Sequence, residues 1–188
     1  MKQLLLLSLC LCVSLFAYSC KREPALTKYY PLPDFSLTDQ TTKTVTLADL
    51  KDKVWIADFI FTSCGGMCPV MTEKMRKLAD TVPADIRLVS FTVDPERDTP
   101  AVLAAYAAEH GATPERWLFL TGDKKALYDL CMNGFKLALD ETGGTPAEPI
   151  THSTRFVLVD REGNVRGYYS GEEAADLERL SADVKKLL

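Results

Sequence analysis

The stretch Phe61-Thr62-Ser63-Cys64-Gly65-Gly66-Met67-Cys68-Pro69 decides how the chain folds. Two cysteines four residues apart separate an apolar run from a segment of helical periodicity. Residues 54–61, Val-Trp-Ile-Ala-Asp-Phe-Ile-Phe, are almost continuously apolar, the pattern of a central strand covered on both faces. Downstream, Pro69 suits the first turn of a helix. Met67, Met71, Met75, Leu78 and Val82 recur at helical spacing, which predicts a helix over 68–80 with this stripe in the core. Methionine sulfur is also a soft copper ligand, but an inward-facing stripe reads as packing. The cysteines therefore fall at a strand-to-helix junction. Unpaired N–H groups and the positive end of the helix dipole favour thiolates there. Gly65-Gly66 lets the loop fold tightly enough for both sulfurs to reach one point.

Upstream of this junction, residues 35–37 alternate, 44–46 read as a return strand and 47–50 as a short helical turn. Downstream, 86–93 is a second apolar strand. A helix over 101–110 follows, with Asp98 or Thr99 as its cap, Pro100 in the first position and Gly111 as its stop. Residues 117–120 read as a strand, 124–133 as a helix ended at Gly134, and 135–139 as extended chain. A loop over 140–150 carries Gly143-Gly144, Pro146 and Pro149. Strands over 155–159 and 165–169 flank the turn Arg161-Glu162-Gly163-Asn164, a hairpin signal, and 173–188 is a last amphipathic helix. This order predicts an α/β layer fold with a central mixed β-sheet flanked by helices. A cysteine pair at its strand-to-helix junction points to the thioredoxin-like fold.

The totals fit one such domain plus a targeting segment: 188 residues, 47% hydrophobic and 26% charged. Net charge is −4 with no basic block, which argues against a nucleic-acid partner. Residues 1–19 read as a signal peptide, with Lys2 before an apolar core and Ala17-Tyr18-Ser19 at its end. Cys20 follows a small residue, the pattern of a bacterial lipoprotein site, although Ala17 stands where leucine is usual. Cys20 is therefore expected to be acylated and to anchor the chain on the periplasmic side of the cell envelope; simple secretion is the alternative. Residues 20–34, with prolines at 24, 31 and 33, are expected to be a tether, and 35–188 the folded domain.

Of six cysteines, Cys10, Cys12 and Cys20 lie in the leader or at its end. Two clustered cysteines and the single Cys131 do not make a disulfide scaffold. Cys131, beside Leu127 and Leu130, reads as a buried thiol. Two thiolates on one short loop form a soft site suited to Cu(I) or Zn, or they close a disulfide. Structural zinc needs four ligands. The chain has two histidines. His110 ends a helix, where it complements the dipole. His152 follows the Gly/Pro-rich loop and begins a strand, so it can reach a site at the sheet end. Cys64, Cys68 and His152 form a three-ligand soft set that suits trigonal Cu(I) better than structural zinc. Spacing alone leaves metal binding and a plain redox dithiol both open.

Three motifs in order, Phe61-Thr62-Ser63-Cys64-x-x-x-Cys68-Pro69, Val93-Asp94-Pro95-Glu96-Arg97-Asp98-Thr99-Pro100 and His152-Ser153, resemble the Sco/SenC family of copper chaperones. The resemblance covers residues 35–188. It implies a thioredoxin-like fold and one copper ion, Cu(I) or Cu(II), bound by Cys64, Cys68 and His152. It also implies a role in assembling the dinuclear CuA centre of cytochrome c oxidase. The implied partners are oxidase subunit II or another copper protein, an upstream copper donor or thiol reductant, and a membrane. Gly65 stands where the family commonly has proline, which should loosen the loop. A thiol-disulfide oxidoreductase using the same thiols is the rival reading, and a peroxidase a weaker third. Asp58, six residues before Cys64, is similar in spacing to the buried aspartate of thioredoxins and could exchange protons with a cysteine; alternatively it meets a Lys or Arg. The Asp94 run reads mainly as a strand exit and helix cap, with Asp94 the member expected to face the copper site.

Overall fold

A computed structural model describes residues 25–142 and 150–188. The leader over 1–19, Cys20 and the acylation expected there lie outside the described residues, as do 143–149 of the loop. Chain order is β1 (Ser36–Asp39), β2 (Thr44–Thr46), α1 (Leu47–Leu50), β3 (Trp55–Ile60), α2 (Met67–Thr81), β4 (Arg87–Thr92) and α3 (Pro100–Glu109). It continues with β5 (Trp117–Thr121), α4 (Lys124–Asp129), a π-helical turn (Leu130–Gly134), β6 (Leu139–Asp140), β7 (Thr151–His152), β8 (Arg155–Val159), β9 (Val165–Ser170) and α5 (Ala174–Lys185). Seven strands form one sheet in the order β2-β1-β5-β4-β3-β8-β9. The central β3, β4 and β5 are parallel and the outer pairings antiparallel. This is the mixed α/β, thioredoxin-like sheet expected from the element order.

Alternation along β3 builds two different faces. Trp55 and Phe59 point to one side, where they meet Phe91 and Phe135 with ring centroids 5.1–6.4 Å apart. Such edge-on and offset pairs add about 1 kcal/mol each beyond simple burial. Ile56, Asp58 and Ile60 occupy the alternate positions, and Met71 and Met75 of α2 are fully buried. The methionine stripe is therefore core packing. A Thr72–Tyr106 hydroxyl contact at 2.8 Å joins α2 to α3.

The structure corrects two expectations. The second half of the 20–34 segment is not a free tether. Leu32 is buried, its N–H donates to Gly163 O at 2.9 Å, and Val165 donates to Tyr30 O at 2.9 Å. Pro31 sits opposite Asn164 on the sheet edge, a position that tolerates a residue lacking an N–H. Arg166 adds bonds to the carbonyls of Leu26 and Thr27. The expected 124–133 helix is α-helical only to Asp129. It then widens into a π-turn in which Phe135 N–H donates to Leu130 O at 2.8 Å. A Cβ on Gly134 would lie 2.9 Å from Leu130 and 3.2 Å from Pro33, so the turn fits only glycine without displacing its neighbours. Phe135 is thereby delivered into the aromatic cluster.

Candidate metal and redox centre

The cysteine loop connects the buried end of β3 to the start of α2. Cys64 N–H closes a turn onto Phe61 O at 3.3 Å, and Gly66 N–H donates to Cys64 Sγ at 3.4 Å. The residue before the helix, Gly66, offers no side-chain cap to the start of α2. Cys64 is 8% exposed and Cys68 1%. No disulfide joins the described cysteines.

His152 reaches this loop from the other end of the sequence. β6 and β7 form a small antiparallel ribbon with Leu139 opposite His152 and Asp140 opposite Thr151. Ser153 N–H donates to Ala138 O at 3.0 Å and fixes its base. The imidazole stands edge-on to Phe61, 5.8 Å between centroids, and its Nε2 lies 3.2 Å from Cys68 Sγ. Its Nδ1 lies 3.2 Å from Ser153 O. A carbonyl only accepts, so this contact places the proton on Nδ1 and leaves the Nε2 lone pair facing Cys68, the tautomer a metal ligand requires. A cleft of about 580 Å³ passes His152, lined in part by Leu139, Asp140, Thr154, Arg155 and Glu172.

The surroundings of Cys68 favour its protonated form. Burial raises the Cys68 pKa, and the neighbouring Cys64 and the field of Asp58 raise it further, against a backbone contact with Phe61 that lowers it. The helix N-terminus was expected to favour the thiolate; here desolvation outweighs it. Binding a soft cation reverses the balance, since the cation replaces the proton as the neutralising charge. The donor set of two thiols and one imidazole fits such an ion. Among the described residues, however, no three His, Cys, Asp or Glu side chains already form a metal-binding group.

Asp58 is 0% exposed, on the same strand face as Ile60. Ser90, its register partner on β4, donates to Oδ1 at 2.6 Å and accepts from Trp117 Nε1 at 2.9 Å. Oδ2 has no partner, and burial pushes the carboxyl up to about 7. Among the described residues no Lys or Arg pairs with it, so the strand-end ion pair considered for Asp58 is absent.

Asp94, the member of its run expected to face the site, is engaged elsewhere along the same run. Its carboxylate pairs with Arg97 at 2.8 Å, and its main chain closes the turn that starts α3. The member of that run reaching the cysteine loop is Asp98, which was read only as a candidate cap. Thr99 takes the capping role, accepting from Val102 N–H at 3.4 Å. Asp98 instead accepts from Thr62 and Thr92. Its signal in the sequence was an acid next to a perfectly adequate cap residue. Cys131 is buried in the π-turn, its thiol pushed up to about 12 by burial. His110 caps α3 and packs on Tyr106, 4.5 Å between centroids.

A thioredoxin-like sheet with two cysteines at the β3–α2 junction and a histidine brought alongside defines a class of thiol-based metal and redox proteins. The SCO1/SenC family model matches residues 25–188. A SCO1 protein homolog of Bacillus subtilis is 36% identical over 160 residues, covering 83% of this chain and 82% of that protein. The structure of a SCO1/SenC family lipoprotein from Bacillus anthracis superposes with a TM-score of 0.77 at 34% identity, covering 88% of this chain and 98% of that one. BsSco, described as a Sco-family cytochrome c oxidase assembly protein with a disulfide switch, gives 0.77 at 33% identity over 87% and 98%. Copper-bound ScoI of Bradyrhizobium japonicum gives 0.70 at 25% identity over 84% and 99%. The chain belongs to the SCO1/SenC family.

Proposed function

We propose that this protein is a copper metallochaperone that delivers copper for assembly of the CuA centre of cytochrome c oxidase. One observation carries the reading: His152 Nε2, from a ribbon 84 residues away in sequence, lies 3.2 Å from Cys68 Sγ. A dithiol enzyme has no need of that imidazole. Cys64 and Cys68 bind one copper as thiolates and His152 as a neutral imidazole. Low coordination leaves room for an incoming ligand, and closure of the ribbon gives copper a way in and out by stepwise exchange. The copper-bound ScoI relative and the oxidase-assembly role of BsSco support this reading. The protein is held on the periplasmic side of the envelope by an acylated Cys20, in line with the lipoprotein described from Bacillus anthracis. Among the described residues no helix is long and apolar enough to cross a membrane.

The adjacent reduced cysteines, together with the disulfide switch described for BsSco, also favour a second reading, a reductant of oxidase cysteines. Mixing the copper-loaded protein with a reduced, metal-free CuA domain tests the first. Copper transfer that is lost in His152→Ala supports metallochaperone function. Reduction of an oxidised CuA domain that survives His152→Ala, with no copper transfer by the parent protein, replaces it with the oxidoreductase.

A further inference from the structure

We infer that Asp98 is a positioning residue for the cysteine loop, acting through Thr62; its consequence for copper rests on the proposed function, its geometry does not. Asp98 is 0% exposed and follows β4 in the Asp-Pro-Glu-Arg-Asp-Thr-Pro run. Its carboxylate accepts the Thr62 N–H at 3.1 Å and also the Thr62 hydroxyl. It accepts the Thr92 hydroxyl at 2.5 Å. Thr92 is the register partner of Ile60, the last residue of β3. The carboxylate thus bridges the exits of two adjacent parallel strands, directly beneath the point where the chain leaves β3 for Cys64.

The network has a fixed direction. The Thr92 hydroxyl accepts from Asp94 N–H at 2.9 Å, so its proton goes to Asp98. The Asp98 N–H in turn donates to Asp94 O at 2.9 Å, holding the carboxylate's own backbone. Three donors, the Thr62 N–H and the Thr62 and Thr92 hydroxyls, thus converge on one buried side chain. Between Thr62 and Gly66, the loop's other bonds are local: Cys64 N–H to Phe61 O and Gly66 N–H to Cys64 Sγ. Asp98 is therefore the long-range tie that sets where Cys64 stands relative to Cys68, which is carried independently by α2. Release of Thr62 lets Cys64 wander. Every step that needs both sulfurs at one point then slows or weakens, because pre-paid orientation is lost.

Two readouts on the full chain test this. Copper affinity is measured by competition with a chromophoric Cu(I) chelator. The Cys64–Cys68 dithiol is equilibrated with glutathione, each disulfide formed converting one oxidised glutathione to two reduced. Thr62→Val keeps the shape of this half-buried residue and deletes one donor; Thr62→Ser keeps both donors. Thr62→Val is expected to weaken copper binding about tenfold, the lower range for lost outer-sphere partners, and to lower the disulfide equilibrium constant by a similar factor. Thr62→Ser should stay within twofold of the parent on both. Asp98→Ala should exceed Thr62→Val in both. Thr62→Val within twofold of the parent on both readouts overturns the inference, as does Thr62→Ser failing equally. A parent protein that takes up no copper overturns the proposed function instead, and the glutathione equilibrium still judges Asp98.

Discussion

The two ends of α2 are built on opposite principles. At the C-terminal end, the Arg116 guanidinium donates to four carbonyls, those of Ala79, Val82, Pro83 and Ile86, at 2.6–3.1 Å. A positive group there also complements the helix dipole. At the N-terminal end, Gly66 provides no side-chain cap, and two cysteines and an imidazole lie beside the start of the helix. One end is saturated with partners and fixes the helix to the β4 and β5 strands. The other has no side-chain cap and lies near a buried carboxyl, Asp58, that has one unpartnered oxygen. The difference teaches that stability is concentrated at one end of the helix, and that the proposed exchange of copper at the other end can proceed without disturbing the fold.

Substitutions should therefore cost progressively less stability from the C-terminal to the N-terminal end. Arg116→Ala leaves several partly buried carbonyls unpaired and is expected to cost about 3 kcal/mol, a fall of roughly 10 °C in melting temperature for a chain of this size. The folded fraction should still bind copper normally; a melting shift below about 3 °C would remove the contrast. Asp58→Asn comes next. The folded pKa of about 7 lies above the 3.8 of a free carboxyl, so the unfolded chain ionises first as pH rises. The parent protein should lose stability between about pH 4 and pH 7, by about 2 kcal/mol after allowing for water reaching the site, and level off above. Denaturant melts of Asp58→Asn should lack this slope. An unchanged thiol alkylation profile in the variant would also end any proton exchange between Asp58 and Cys68.

Cys64→Ser sits at the small end of the stability scale. It is expected to cost less than about 1 kcal/mol, because the contacts of Cys64 with Gly66 and Cys68 lie within its own loop and serine is close to cysteine in size. Copper uptake should nonetheless fall by orders of magnitude, since a hydroxyl is a poor ligand for a soft ion. A large stability loss with copper binding intact would invert the comparison.

What could be read from the sequence tracks how local its cause is. The β3 run, the α2 stripe and the 155–169 hairpin follow from periodicity and turn chemistry, and each is found within a residue or two of its expected bounds. His152 was legible through scarcity: of two histidines only it lies near a loop able to reach the cysteines. Asp98 was not, because its role depends on Thr62, 36 residues away, and Thr99 already explained the helix start. Arg116 was hidden for the same reason, its four acceptors being 30–37 residues distant. Prolines disguised the docking of residues 29–32, since an edge pairing needs only some of the N–H groups a central strand needs. The π-turn depends on the fit of Gly134 against Pro33, which no local pattern encodes.

The measurement that bears most directly on the account is Cu(I) titration of the reduced protein beside His152→Ala. One copper per chain, bound tightly by the parent and at least tenfold more weakly by the variant with an unchanged melting temperature, is the predicted result. Weak, sub-stoichiometric uptake that His152→Ala leaves unaltered would contradict it.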